Sequence, residues 1–178
     1  PRLGRHVRRF AREGVVLRRH AGSEGDLLRF IYDNKGRQAT RKENLFAEAS
    51  RREFMIRIAA EEESRCEVFT YETNSQLVAA LITFRNDAVR HFYTVYYDAR
   101  WAHFSPGQLL LFEASALSLA EGLDCDYMTG ESLLKNRLAT SRVPLSWVEA
   151  SAEELPLIFP VEKVASSAAG EDRWPRGA

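Results

Sequence analysis

Between residues 66 and 97 the sequence holds three strand-like runs whose connections are too short for anything except antiparallel pairing. "CEVFTY" alternates, with Cys66, Val68 and Thr70 on one face. A turn at Asn74-Ser75 leads into "QLVAALITF", which is apolar almost throughout and is therefore expected to be buried on both faces. A second turn at Arg85-Asn86-Asp87 leads into "VRHFYTVYY", which runs to Asp98. A meander of this kind fixes the centre of a sheet, and the rest of the chain has to cover its two faces.

Beyond the meander the sheet changes direction. "SPGQLLLFEASALSLAEGL" carries helical apolar periodicity, Gly122 supplies a stop, and "DCDYMTG" reads as a strand. Strand, helix and strand with tight connections make a right-handed parallel crossover. A short helix "ESLLKNRLAT" and a last strand "VPLSWVEA" complete the order.

Upstream, "RLGRHVRRFAREG" is a short basic amphipathic helix ended by Gly14, and "VVLRRH" suits a strand. Ser23 opens a helix, with Asp26 as its capping partner and Leu27, Leu28, Ile31 and Tyr32 as its buried stripe. Asn44 caps a second helix running to Glu63, with Leu45, Phe46, Ala49, Phe54 and Ile58 at helical spacing. The expected fold class is mixed α/β (α+β), with a central sheet that is part antiparallel and part parallel. The expected organisation is a basic helix over 1–14 left from an upstream element, one domain over 15–164, and a disordered tail over 165–178, which is small, polar and aperiodic.

Charge narrows the partners. The 178 residues carry no formal net charge, but residues 1–65 hold 16 Lys/Arg against 10 Asp/Glu and the remainder 9 against 15. Nothing global argues for nucleic acid as a partner, and the basic first helix reads as a solvated face. No run of about 18 apolar residues suggests a transmembrane segment, and a cytoplasmic location is expected. Cys66 and Cys125 lie far apart with no CxxC partner or paired histidines, so they read as buried thiols, with no metal expected.

The start of the long helix is specified three times over. Ser105 precedes the apolar periodicity, Pro106 takes the first helical position, and Gln108 completes a capping box. Gly107 admits two readings. Having no Cβ, it lets an anion approach the first-turn amides; equally, it lets the helix pack tightly against the preceding strand.

The element order resembles the GNAT (Gcn5-related N-acetyltransferase) fold. The stretch from Tyr96 to Leu145 resembles the GNAT-like acetyltransferase domain of the cellulose-biosynthesis CelD type, a relative of the FemAB-like transferases. The matching residues are Tyr97-Asp98, the S-P-G-x-L-L turn from Ser105 to Leu110, Asp126-Tyr127, Gly130, Glu131 and Lys135. The upstream "IYDNKGRQ" and "NLFAEASRREFM" also look like that family's helices, so the resemblance spans roughly Val15 to Val148. The turn departs from the usual pyrophosphate loop in carrying one glycine behind a proline, and Leu134 and Leu138 stand where the family has aromatics.

The resemblance implies transfer of an acyl group from acetyl-CoA or another acyl-CoA to an amine, without a metal. The thioester would lie between the strand ending at Tyr97 and the strand starting near Asp124, with the pyrophosphate on the amides of Gly107, Gln108 and Leu109 beside Ser105. Asp98 is the candidate base, or else a turn former paired with Arg100. Tyr96 and Tyr97 face opposite ways, so one reaches the cleft and the other the core; Tyr97 is placed with the catalytic residues and Tyr96 with the cofactor. Glu131 recognises the substrate amine or stabilises a helix start. Lys135, Arg137 and Tyr127 are candidates for the substrate side, the two cations alternatively for a ribose phosphate. His103, beside the turn, is expected to contact the cofactor, and His91 reads as a half-buried strand histidine.

The acceptor would be an amine-bearing small molecule, a glycan precursor or a peptide, with an upstream GNAT-like half or a homodimer as partner. A non-catalytic GNAT-like half, favoured by the two leucines, is the alternative. An aminoacyl-tRNA donor is a further one, and the acidic C-terminal part opposes it.

Overall fold

Tight turns shape the sheet's centre as the spacing requires. Thr73 N–H donates to the Gln76 carbonyl, and Asn86 N–H to that of Val89, while Asn86 Oδ1 accepts from the amides of Ala88 and Val89. The computed structural model describes residues 2–37, 45–130 and 132–145. The chain divides into a unit Pro1–Ala139 and a unit Thr140–Ala178, and residues 140–145 of the latter have no regular structure.

The elements of the first unit are α1 (Arg2–Arg12), β1 (Val16–Ala21), α2 (Gly25–Arg37), α3 (Ala49–Ala60), β2 (Cys66–Glu72), β3 (Leu77–Arg85), β4 (Val89–Tyr97), α4 (Pro106–Ala120), β5 (Asp124–Asp126) and α5 (Leu133–Leu138). Short 3₁₀ turns occupy Glu62–Ser64 and Ala99–Phe104. The sheet order is β1-β2-β3-β4-β5; the first three pairings are antiparallel and β4–β5 is parallel. The meander, the crossover and the mixed α/β class all match the sequence expectation.

Strand alternation builds a separate core on each face. Cys66 and Val68 of β2 and Ala80 and Ile82 of β3 pack under α2 and α3, with Leu28, Ile31, Tyr32, Ile56 and Ala59. Phe69, Tyr71, Ala79, Leu81 and Phe92 pack under α4, with Leu109, Leu110 and Ala114. Phe10 of α1 belongs to this second core, edge-on to Tyr71 at 5.1 Å and to Trp101 at 5.9 Å. Burial pushes the Cys66 thiol up to about 12, as expected of an inert core cysteine.

A register shift between Ile82 and Thr83 leaves Tyr93 as the extra residue of β4, because Ile82 faces Thr94 and Thr83 faces Phe92. The bulge reverses the alternation, so Phe92 and Val95 share the α4 face while Tyr93 and Tyr96 share the α2–α3 face.

Several local expectations are corrected. α2 begins at Gly25 rather than Ser23. The expected cap Asn44 lies outside the described residues; α3 begins at Ala49 after a turn and bend over 45–48, and Glu48 makes no side-chain cap. The stripe of α3 is rotated from the expected one: Ile56 and Ala59 are buried, while Leu45 and Phe54 are 56% and 60% exposed. Arg52, Met55, Ile56 and Ala59 share a face at helical spacing, so the sheet selected that stripe over the one containing Phe54. β5 stops at Asp126, because Met128 adopts a left-handed φ of 60°. Val143 to Leu145, the start of the expected last strand, form none. The rest of that strand and the 165–178 tail lie outside the described residues.

Candidate active site

β4 and β5 form a fork. They share three rungs, Val89 with Asp124, Arg90 with Cys125 and His91 with Asp126, and then β5 ends while β4 continues to Tyr97. Asp98 N–H donates to the Val78 carbonyl at 2.9 Å on the β3 side. In an antiparallel ladder the backbone groups alternate sides, so those of Val95 and Tyr97 point away from β3, into the open fork. An extended ligand with amide groups finds a strand edge there.

At the base of the fork stands a pair that sequence reasoning missed. His91 Nδ1–H donates to Asp126 Oδ2 at 2.9 Å, with the two side chains 36% and 48% exposed. Burial works against the Asp126 carboxylate, but the hydrogen bonds from His91 and from Met128 N–H outweigh it and lower its pKa. The carboxylate fixes the proton on Nδ1, and Nε2, with no partner among the described residues, is left as the accepting nitrogen of the neutral ring. The pairing depends on the register of two strands 35 residues apart, and no local motif signals it.

The expected capping box at α4 does not form. Ser105 is left-handed (φ 54°, ψ 51°) and its side chain makes no cap; its carbonyl takes the amides of Gln108 at 3.0 Å and Leu109 at 3.2 Å. The 3₁₀ turn over Ala99–Phe104 ends on Ser105, whose N–H donates to the Ala102 carbonyl at 2.9 Å and whose left-handed backbone is outside the extended conformation a side-chain N-cap uses. Of the three amides expected to face a pyrophosphate, only that of Gly107 lacks a partner among the described residues. Gly107 also meets the packing reading, since a Cβ there would lie 2.9 Å from Val95 Cγ1 and 3.7 Å from Tyr97 Cδ1.

The bulge decides between the tyrosines. Tyr96 is 6% exposed and packs under α2, edge-on to Phe30 at 6.1 Å, while Tyr97 is 44% exposed on the α4 side near Gly107. Tyr96 thus takes the core position. Asp98 accepts from Arg100 N–H at 2.9 Å, from Nε at 3.1 and 3.0 Å and from Nη2 at 2.5 Å, and the Arg100 bonds lower its pKa. A carboxylate held in this way has little basicity left, and its observed partner is the turn arginine.

The remaining candidates scatter. Glu131 lies outside the described residues. Tyr127 packs its ring on Phe92 at 5.2 Å and places its hydroxyl 3.0 Å from Ser115 Oγ, tying α4 to the segment after β5. Lys135 Nζ donates to the carbonyls of Met128 (3.4 Å) and Thr129 (2.5 Å), which secures that segment. Arg137 is exposed on α5, while Leu134 and Leu138 pack against the core. His103 lies tilted against Phe104 with ring centres 4.0 Å apart and lines an open hollow of 390 Å³ with Arg9, Arg100 and Trp101. Among the described residues no group of His, Cys, Asp and Glu could hold a metal ion.

The family model of the acetyltransferase (GNAT) domain matches residues 2–136. Three of the similar solved structures show the shared fold. A GCN5-related N-acetyltransferase from Ralstonia eutropha JMP134 shares 14% identity over 77% of this chain and 99% of its own, with a TM-score of 0.58. A possible acetyltransferase from Clostridium difficile 630 shares 12% over 77% and 97%, at 0.56. An aminoglycoside acetyltransferase from an uncultured soil metagenomic sample, solved with sisomicin, shares 11% over 78% and 98%, at 0.52. No curated protein matches by sequence.

Proposed function

Because the chain belongs to the GNAT acetyltransferase family, we propose that it moves an acetyl group from acetyl-CoA to an amine of a small molecule or glycan precursor, with His91 receiving the amine's proton. The observation that carries this reading is the fork: an edge of β4 that β5 leaves uncovered, for the donor's amide-bearing arm, with the His91–Asp126 pair where the strands meet. Nε2 of the neutral ring accepts the ammonium's proton directly or through one water, and Asp126 stabilises the imidazolium that results. Gly107 lies against Val95 and Tyr97 at the mouth of the fork, and the donor's phosphates would bind at its N–H on the α4 N-terminus. Asp98 acts in this scheme by holding the turn that leads to α4, and Tyr97 by flanking Gly107.

The CelD-type resemblance brings amino sugars and glycan precursors into the test set beside a peptide. An aminoglycoside belongs in the same test set, as an amine-rich saccharide. Cytoplasmic acyl-CoA and a homodimer or second GNAT-like half as partner are part of this reading. Among the described residues no helix is long and apolar enough to cross a membrane.

The test is calorimetric titration of acetyl-CoA, followed by release of free CoA thiol with amino sugars, an aminoglycoside and an amine-terminated peptide as acceptors. Binding with saccharide-dependent thiol release supports the reading. A folded chain that binds no acetyl-CoA refutes it.

A further inference from the structure

The buried stripe of α2 ends on a charge. Leu28, Ile31 and Tyr32 are fully buried, and the next position on that face, three residues after Tyr32 and four after Ile31, is Lys35. Its stem follows the apolar face and its ammonium reaches the sheet. Nζ donates to the Val95 carbonyl at 2.8 Å and lies 5.5 Å from the centre of the Phe46 ring, which itself stacks on Tyr32 at 5.1 Å. The Val95 carbonyl faces the open side of β4, so this amine stands at the strand edge offered to the donor.

We propose that Lys35 is an acyl acceptor in its own right, a self-acetylation site on the acceptor side of the fork. The inference rests on the acetyl-CoA reading above. An incoming donor arm whose amide N–H takes the Val95 carbonyl displaces the Lys35 amine beside the arm, on a stem flexible enough to reach the thioester. Neutral Nζ attacks the thioester carbonyl carbon; the C–N bond forms, the C–S bond breaks, and CoA leaves as thiolate. The proton lost by nitrogen ends on that thiolate. The products are Nε-acetyl-lysine and CoA thiol. Burial lowers the Lys35 pKa, which raises the reactive neutral fraction above that of an exposed lysine.

The other lysines give internal comparisons. The chain has four, at positions 35, 42, 135 and 163, and Lys135 is committed to two loop carbonyls. The experiment incubates the full chain with acetyl-CoA without acceptor, then locates the label by intact mass and peptide mapping. The same samples are titrated calorimetrically, and a urea-unfolded sample and excess CoA serve as controls. The expected result is one acetyl group on Lys35 of the folded chain, at least tenfold faster than on any other lysine. Excess CoA should suppress it, and both unfolding and Lys35→Arg should abolish it. Bound acetyl-CoA with Lys35 unlabelled, or labelled no faster than its neighbours, overturns the inference and leaves the transferase reading standing. Absence of acetyl-CoA binding overturns both.

Discussion

Arg90 has no solvent exposure, and its Nη2 donates to Glu67 at 2.5 Å and to Glu121 at 2.9 Å. Nη1 donates to Ser118 Oγ at 2.9 Å, and the guanidinium lies 5.0 Å from the centre of the Phe69 ring. The arginine next to the fork histidine therefore binds β4 to β2 and to α4 at once. Removing one partner of a buried ion pair typically costs about 3–5 kcal/mol, because the other charge stays behind desolvated. Here Glu67 and Glu121 both retain Arg19. Arg90→Ala, which also opens a cavity, is expected to cost about 3 kcal/mol. Arg90→Met, which refills the volume, should recover at least half of that. Urea midpoints of the two variants check the order; equal losses would mean that volume is irrelevant there.

Gly107 and Val95 form a test of packing at the mouth of the fork. Alanine at 107 places a Cβ against Val95 Cγ1, and a β-branched side chain in a strand yields poorly. Gly107→Ala should destabilise by about 1–2 kcal/mol. The double variant Gly107→Ala/Val95→Ala should lose less than the sum of the two single changes, since the clashing methyl is gone. A strictly additive cycle would show that the contact carries no strain.

The pairing of Asp98 with Arg100 predicts an acid-side effect of definite sign. Arg100 holds the Asp98 pKa below its ordinary value. The pair's stabilisation is thus fully present above the unfolded pKa of about 3.9 and disappears as pH falls through the lower folded value. Asp98→Asn, which can still cap the 3₁₀ turn through Arg100 N–H, should melt below the wild type at pH 7. The gap should close as the pH drops below about 4. A gap independent of pH would assign the difference to the turn rather than to the charge.

The sheet's centre was legible because its information is local. Alternation in "CEVFTY", the apolar run after Asn74-Ser75 and the short turns each exclude other pairings. The α4 crossover followed from periodicity and connection length. The features that failed depend on distant registers. "DCDYMTG" has the composition of a longer strand, yet β5 ends after three rungs, where Asp126 turns to His91 and to Met128 N–H. "ARWAHF" shows no helical period, so the 3₁₀ turn that ends on a left-handed Ser105 was invisible and the capping box looked secure. The Tyr93 bulge, which sends Tyr96 inward and Tyr97 outward, has no signature in "FYTVYY". Lys35 was passed over because a lysine after an apolar stripe ordinarily marks the stripe's end, whereas here the stripe continues beneath its stem.

The His91–Asp126 pair separates a proton-transfer role from a structural one. His91→Gln keeps a polar side chain of similar reach but has no titrating nitrogen, so turnover should fall by about 10²–10⁴-fold with acetyl-CoA affinity nearly unchanged. Asp126→Asn is subtler. Its single amide oxygen can replace only one carboxylate oxygen: Met128 N–H can only donate and keeps it, so the amide NH2 turns to Nδ1, which then accepts and sends the ring proton to Nε2. The variant loses both the negative charge that stabilises the imidazolium and the accepting Nε2, so kcat should drop about as far as in His91→Gln, with little change in Tm. Asp126→Ala removes the Met128 bond as well, at about 1 kcal/mol of stability. Steady-state kinetics with saturating acceptor, alongside thermal melts, distinguish the two accounts. If His91→Gln loses turnover only as far as it loses Tm, the pair is a strand clasp and the base lies elsewhere in the fork. If turnover falls while Tm and donor affinity hold, and Asp126→Asn falls with His91→Gln, the imidazole carries the proton and the carboxylate fixes its tautomer.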